Sequence, residues 1–394
     1  MNWRYAYTAL LLCTLAFAAT MVARLVISPV VPLIAADFGV SYGTIGLALS
    51  GMWAAYALAQ FPSGVLGDKF GERRIILTAV GSTAVTALLL AFAPSVEVFI
   101  LGTVLLGTGA GLHYSVATTF LAKQFDDIGR AIGFHVAGGP IAGLLAPPIA
   151  AYVGAQYGWR SALLLGVVAA VPVFVLFAAK VEPTEPARPD QPIRERFELG
   201  ALVELLSRKS IAYTTVLAMF GAFAWQATAS FLPAFLAEAG GLSTGNAAIL
   251  FSLYFVIHGA TQPLTGGLSD RIGRDPAAMV TMTSGIVGYG LLVVGALADV
   301  GIVTYAVATL FVGLAMSWGA PVQSRFMDLL SAEERGAGFG LVRTAYMVLG
   351  ATGSVVVGTL STLVSWPAAF GLLAGIMAIG LCTLLGNRLL GLDL

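Results

Sequence analysis

The sequence predicts an all-α polytopic membrane protein, with twelve transmembrane helices in two pseudo-symmetric six-helix bundles. Three observations carry that prediction. Apolar runs of about 20 residues recur along the whole chain, and about 20 helical residues cross a hydrocarbon core of about 30 Å. Only 10% of the 394 residues are charged while 58% are hydrophobic, whereas soluble domains carry about a quarter charged. Finally, one short charged motif occurs twice, in matching places of the two halves. Helices rather than barrel strands follow from run length, because only helices and closed barrels satisfy their backbone in lipid and these runs exceed a barrel strand's reach.

The spans are expected, in order, at residues 6–34, 42–63, 74–93, 98–121, 130–154, 159–180, 211–236, 243–268, 276–298, 301–324, 336–360 and 365–387. Leu10–Ala18 has the length of a signal-peptide core, with Ala16-Phe17-Ala18 as a cleavage pattern, but the apolar character runs well past it, so it reads as the first span. Cys13 and Cys382 both fall inside spans, which indicates neither a disulfide framework nor a thiolate metal site. The segments after spans 2, 4, 6, 8 and 10, together with both termini, hold nearly all the Lys and Arg; Arg160 stands on the other side. The positive-inside bias then puts both termini on the cytoplasmic side of the cell membrane.

The repeated motif follows spans 2 and 8. "GVLGDKFGERR" (64–74) and "GGLSDRIGRD" (266–275) align Gly64, Asp68 and Gly71 with Gly266, Asp270 and Gly273, each pair 202 residues apart, and Lys69 with Arg271. Arg73, Arg74 and Arg274 complete the basic ends. The same offset aligns "GVSYG" (39–43) with "GLSTG" (241–245) and Gln60 with Gln262, and "RAIGF" (130–134) parallels "RGAGF" (335–339). The first glycine of each motif is expected where a helix approaches a neighbour too closely for a side chain. Gly71 and Gly273 are expected to supply the left-handed turn, and Asp68 and Asp270 to accept hydrogen bonds from a helix N-terminus. Gly64, Asp68, Gly71, Arg73, Arg74, Gly266, Asp270, Arg271, Gly273 and Arg274 are the candidate gating-loop residues.

With these motifs the chain resembles the major facilitator superfamily of twelve-helix secondary transporters, whose loop signature is G-x-x-x-D-[RK]-x-G-[RK]-[RK] between spans 2 and 3 with a copy between 8 and 9. The resemblance covers the whole chain. It implies that the loop aspartate docks at the start of span 11 or of its counterpart, putting Asp68 near Gly336–Phe339 and Asp270 near Ala131–Phe134. It also implies a central cavity lined by spans 1, 2, 4, 5, 7, 8, 10 and 11. The second copy departs from the pattern at Asp275, where a basic residue is usual.

Domain limits are expected at 1–180 and 211–394, joined by a cytoplasmic linker at 181–210. Pro183, Pro186, Pro189 and Pro192 recur every third residue, the period of polyproline II. An amphipathic segment follows, with Ile193, Phe197, Leu202 and Leu206 among charged residues, and reads as an interfacial helix.

Inside the membrane an ionisable residue is a functional hypothesis by default. No Asp or Glu is expected in a span interior; Arg24, Arg343, His113, His135 and His258 are. Thr20, Arg24 and Ser28 form one stripe on span 1, Tyr56 and Gln60 one on span 2, and Tyr254, His258 and Gln262 one on span 8. Trp225, Gln226 and Ser230 occupy the matching part of span 7. The candidate substrate-binding residues are therefore Arg24, Thr20, Ser28, Tyr56, His113, Trp225, Gln226, Tyr254, His258 and Arg343. Arg24, without a nearby carboxylate in sequence, suits an anionic group, and "ARLVISPVVPLI" (23–34) is similar to span 1 of organic-anion members. The bland readings are that Arg24 satisfies helix carbonyls or snorkels, that His135 is structural, and that Trp225 and Trp318 pack rather than stack on ligand.

Three functions follow for comparison. The leading one is a secondary transporter of a small organic anion working by rocker-switch alternating access. The alternative is a proton-coupled exporter of multidrug type, for hydrophobic or cationic compounds. "GGPIAG" (138–143) favours it, but the exporter's span-4 arginine is missing from "GTVLLGTGAG" (102–111), which keeps Gly107, Gly109 and Gly111. A membrane enzyme or receptor is the third, and neither metal-ligand spacing nor a nucleophile–base pair supports it. No cofactor or resident metal and no nucleic-acid partner is expected. The expected partners are a small-molecule substrate and the lipid bilayer, with a coupling proton or ion left open and a monomeric state.

Overall fold

The computed structural model describes residues 3–125, 127–190, 199–298, 300–331, 334, 337–392 and 394. All regular structure among them is helical. In chain order the helices are α1 (Trp3–Leu25), α2 (Val31–Phe38), α3 (Tyr42–Phe70), α4 (Glu72–Ala91), α5 (Val96–Ala122), α6 (Ile128–Val136), α7 (Gly138–Tyr157) and α8 (Trp159–Lys180). They continue with α9 (Leu199–Ser207), α10 (Lys209–Glu238), α11 (Thr244–Ile272), α12 (Arg274–Ala298), α13 (Ile302–Ala315), α14 (Gly319–Leu329), α15 (Ala337–Leu363) and α16 (Trp366–Leu390). Eleven helical stretches among the described residues are long and apolar enough to cross a membrane, and α3 makes twelve when its two limbs, bent by 46° at Pro62, count as one span. Proline removes a helix hydrogen bond and clashes with the preceding turn, which accounts for the bend.

Several spans are broken helices. Span 1 consists of α1, a 3-10 turn at Ser28–Val30 and α2, because Pro29 and Pro32 each withhold a backbone donor. Span 5 breaks between α6 and α7 at Ala137, and span 10 passes from α13 through a 3-10 turn at Met316–Trp318 into α14.

The repeated motif is not a loop, contrary to the sequence reading. Residues 64–70 are the last turns of α3 and residues 266–272 the last turns of α11, so each connection shrinks to one glycine. Gly71 has φ +86 and ψ 139, and Gly273 has φ +95 and ψ 162. Both are positive-φ as expected, though in a region open essentially to glycine alone rather than in the left-handed helical well. The outer repeat is equally close: Gly39 and Gly241 both have φ +64. Two residues on, the hydroxyls of Ser41 and Ser243 accept from the amides of Thr44 and Asn246, each at 3.2 Å, and cap the next helix.

Two compact units result: residues Met1–Phe38 with Gly51–Glu198, and Gly39–Ser50 with Leu199–Leu394. In the first, α4 packs along α5 and α8, and α1 along α7 and α8. Ile76, Val116, Phe120 and Phe177 are buried in its core. In the second, α10 packs along α15, and α12 along α13 and α16. The start of α3 belongs to this second unit because it lies against α15. Ser50 Oγ donates to the Ala351 carbonyl at 2.6 Å and accepts from the Val355 amide at 2.8 Å. Large apolar side chains such as Leu101, Val168, Val175 and Leu297 are exposed, as a helix face in contact with lipid tails requires.

The amphipathic reading of residues 193–198 lies outside the described residues; α9 follows it. Of the expected polyproline stretch, residues 182–190 carry no helix or strand, and Pro192 lies outside the described residues.

Candidate functional site

Arg24 sits in the last turn of α1 with 1% of its surface exposed. Its Nε donates to the Thr20 carbonyl at 3.0 Å and Nη2 to the Met21 sulfur at 2.9 Å. The guanidinium lies over the rings of Tyr56, 4.0 Å from the centroid, and Trp53, 5.2 Å away, both on α3. Among the described residues no carboxylate pairs with it. Burying a charge costs several kcal/mol in effective terms. A desolvated cation–π contact offsets about 2 kcal/mol and one charge-assisted hydrogen bond about 1.5–3 kcal/mol. The aromatic cradle is thus on the scale needed to hold a buried cation, while no counter-charge competes for its remaining donors.

Packing fixes that cradle. A Cβ on Gly107 would lie 2.0 Å from the Met52 carbonyl, and one on Gly111 2.5 Å from the Tyr56 carbonyl. The glycines of α5 therefore bring it against the backbone of α3 at the turn that presents Trp53 and Tyr56. The other members of the span-1 stripe serve locally. Thr20 donates to the Phe17 carbonyl, and Ser28 is buried in the 3-10 turn, beyond the end of α1.

The second unit holds a separate polar group. Gln226 Nε2 donates to the Met347 carbonyl at 3.0 Å, Ser230 and Ser354 share a hydroxyl bond of 2.8 Å, and the Ser354 hydroxyl also reaches the Gln226 carbonyl. The Gln226 Oε1 is buried without a hydrogen-bond partner among the described residues. On α11, Tyr254 is fully buried, stacked on Phe251, with His258 6.2 Å further along the helix. The Tyr254 hydroxyl likewise lacks a hydrogen-bond partner among the described residues. Trp225 on α10 and Arg343 on α15 are half-buried.

His113 and His135 are brought together, both fully buried, with ring centroids 5.4 Å apart. His135, expected to be structural or interfacial, is buried and packs on His113, Phe17 and Tyr114.

At the motifs, two expectations are corrected. A Cβ on Gly64 would meet nothing within 4 Å, and one on Gly266 would reach only Ala320 at 3.8 Å. The close approach falls at Gly67, against Val116, and at Gly71, whose Cβ would lie 2.4 Å from the Thr184 carbonyl. Asp270 was expected to take backbone amides. Its carboxylate instead accepts from Arg274, which also donates to Asp328 at 2.8 Å. Asp68 offers its backbone carbonyl to the Arg188 amide at 2.9 Å.

Arg73 closes the far end of α8, donating to the Ala178 and Val181 carbonyls at 2.6 and 2.7 Å. A cation on a helix's last carbonyls satisfies orphan acceptors and complements the dipole. Arg74 and Arg271 are exposed at the helix ends.

Asp275, the departure from the motif, pairs with Arg325 on α14. In the first half Glu72 pairs with Lys123 at the end of α5, and Lys123 and Arg325 are 202 residues apart. Both halves therefore tie the start of span 3 or 9 to the end of span 4 or 10, with the acid displaced by one residue.

The sequence reading missed Trp53 and Met21 beside Arg24, and Ser354 beside Gln226. A signal for Trp53 was present, since Trp53 and Tyr56 are spaced i,i+3 on one helix face. For Ser354 there was none, because it meets Ser230 and Gln226 across 124 and 128 residues.

The sequence profile of the Major Facilitator Superfamily matches residues 12–324 and 214–389. The probable sulfoacetate transporter of Cupriavidus necator is 25% identical over 398 residues, covering 94% of this chain and 91% of that one. The probable nitrate transporter of Staphylococcus haemolyticus is 26% identical over 338 residues, 84% of each chain. A multidrug resistance protein of Escherichia coli O157:H7 is 26% identical over 187 residues, 47% of this chain and 48% of that one. Among solved structures, the D-xylose–proton symporter has a TM-score of 0.80 at 17% identity, covering 96% of this chain and 97% of that one. The nucleoside transporter NupG has a TM-score of 0.79 at 16% identity, covering 98% and 99%. At these identities the structures attest the fold alone.

Proposed function

Because this chain belongs to the major facilitator superfamily and is a membrane-spanning secondary transporter, we propose that its solute is a small organic or inorganic oxyanion anchored by Arg24. The observation that carries this reading is the buried guanidinium itself, held on two aromatic faces with no carboxylate paired to it among the described residues.

A guanidinium carries five N–H donors in a planar fork that matches carboxylate, sulfonate or nitrate oxygens bidentately. Nε is committed to Thr20 and one Nη2 donor to Met21, so the remaining donors form the recognition edge. Tyr56 and Trp53 hold the plane of the fork and exclude water, which strengthens every charge interaction inside. The names of the two relatives that span most of the chain, for sulfoacetate and nitrate, support the same class.

The exporter reading has less support: its relative matches under half of the chain, and the span-5 glycines that suggested it pack α7 on α1, a Cβ on Gly138 lying 2.6 Å from the Thr14 carbonyl and one on Gly139 3.2 Å from the Phe17 ring. Transport proceeds by rocker-switch alternating access, with the anion exposed to one side of the membrane and then the other. The basic ends of the spans face the cytoplasm by the positive-inside bias.

The test is a thermal-shift series on the purified chain with sulfoacetate, nitrate and the lipophilic cation tetraphenylphosphonium, wild type beside Arg24→Ala. A ligand that binds only the native state raises the melting point by mass action. Stabilisation by an anion, absent in Arg24→Ala, is the expected result. Stabilisation by the cation in both proteins would replace the anion reading with the exporter reading.

A further inference from the structure

His113 on α5 and His135 in the last turn of α6 are the buried ionisable pair that the Arg24 site does not use. Both are fully buried, with ring centroids 5.4 Å apart and planes inclined by 48°. Phe17 covers both, at 6.2 Å from His113 and 5.3 Å from His135, and Tyr114 flanks His135 at 6.0 Å. The backbone carbonyl of Cys13 faces both rings, yet among the described residues none of the four ring nitrogens makes a hydrogen bond of ordinary geometry. Buried polar atoms are normally satisfied, and exceptions call for an explanation.

The groups acting on the pair can be named element by element. From α1 come Cys13 and Arg24, from α5 Tyr114 beside His113, and from α6 His135 itself. No carboxylate acts on either ring among the described residues, so this is not a histidine fixed by an acid. Two neutral imidazoles offer two donors and two acceptors. With centroids 5.4 Å apart, one nitrogen of each ring comes within hydrogen-bond distance when both rings turn a nitrogen directly toward each other.

We propose that His113 and His135 together bind one proton, and that this proton couples to anion binding at Arg24, making the chain a proton–anion symporter. The inference rests on the anion reading of Arg24. The step is a simple one: hydronium gives up a proton to the lone pair of one imidazole nitrogen, its O–H bond breaking to leave water as the N–H bond forms, and the other ring's neutral nitrogen accepts a hydrogen bond from that N–H. Release is the reverse transfer, to water on the opposite side.

Helix α1 supplies the coupling. Thr20 donates to the Phe17 carbonyl and Arg24 to the Thr20 carbonyl, so Phe17 and Arg24 stand two turns apart on one face. Seven residues of helix span about 10 Å. The Arg24 charge acts on His113, and at a charge separation on the order of 10 Å with an effective dielectric of about 20, one positive charge opposes another by roughly tenfold in proton affinity. An anion on Arg24 removes that opposition, and by linkage the proton strengthens anion binding by the same factor.

The chain has three histidines, so 15N-histidine NMR of the full-length purified protein, with His113→Gln and His135→Gln for assignment, resolves each ring. The titration is run from acid to neutral pH with and without nitrate or sulfoacetate. The expected result is a one-proton titration shared by His113 and His135, with a midpoint about one pH unit higher with anion and no such rise in Arg24→Ala. In His135→Gln the His113 midpoint must also move. Rings that stay neutral throughout, or that titrate independently, would overturn the site. Rings indifferent to an anion that does raise the melting point would overturn the coupling. If neither anion raises the melting point, the anion reading fails, while a shared titration still upholds the proton site.

Discussion

The guanidinium of Arg24 lies over the ring of Tyr56, 4.0 Å from its centroid, although the two are 32 residues apart and on different helices. A buried cation is thereby held by a neutral aromatic face rather than by a carboxylate. Arg24→Ala should consequently lower the melting temperature little, because it removes an expensive buried charge along with its contacts, yet abolish stabilisation by anions. Arg24→Lys keeps the charge but loses the planar fork, and should weaken anion binding by about tenfold or more, a loss of about 1.4 kcal/mol. Tyr56→Phe, which keeps the ring face, should bind within a few-fold of wild type, and Tyr56→Leu should not. Melting curves against anion concentration measure all four variants.

Gly71 and Gly273 are equivalent in the repeat but not in their surroundings. Either replaced by alanine forces a side chain into a positive-φ conformation, which costs roughly 1 kcal/mol or more. At Gly71 the new methyl also meets the Thr184 carbonyl at 2.4 Å, whereas at Gly273 the nearest atom is Pro276 Cδ at 3.6 Å. Overpacking adds typically 1–3 kcal/mol. Gly71→Ala should therefore lower the melting temperature clearly more than Gly273→Ala. Equal effects would mean that the Thr184 segment yields freely.

Glu72 is buried, with 2% of its side chain exposed, and Lys123 is half-exposed above it. Removing the lysine leaves a buried carboxylate without its cation. Lys123→Met alone should destabilise by about 2 kcal/mol, less than the roughly 3–5 kcal/mol of a fully buried pair because Lys123 is half in solvent. The double variant with Glu72→Gln should recover most of that loss, and a double-mutant cycle on melting temperatures reads the coupling.

Glu334 accepts two hydrogen bonds from Arg208 and one from the Ser331 amide, and its carboxyl is held down at about 2, chiefly by the Arg208 guanidinium. The Ser331 hydroxyl in turn accepts from the Glu334 amide at 3.3 Å, a reciprocal capping arrangement. Because the folded value lies below the ordinary 4.5, the contribution is fully present above pH 4.5 and fades as pH falls toward 2. The melting-temperature gap between wild type and Glu334→Gln should be constant from pH 6 to 8 and shrink on acidification. A gap that widens at low pH would contradict the pairing.

Much of this protein was legible from one dimension. Run length fixes helices that cross a membrane, because lipid leaves backbone groups no other partner. The 202-residue offset then fixes the duplication, down to the matched positive-φ glycines and serine caps. Arg24 stood out for the same reason, since a charge in an apolar run is conspicuous by composition alone.

What composition could not reveal is which residues answer that charge. Trp53 and Tyr56 look like ordinary apolar-face residues until α5 presses its glycines against α3 and turns them toward Arg24. The histidine pair, 22 residues apart in sequence, likewise becomes one cluster only where α5, α6 and α1 converge. Hydrophobic patterning is a property of each segment, and so the sequence by itself determined the spans, the repeat and the buried charge. Ring faces, short polar contacts and paired imidazoles depend on the rotation of packed helices about their axes, which close packing at small residues sets, and only the tertiary structure decided those.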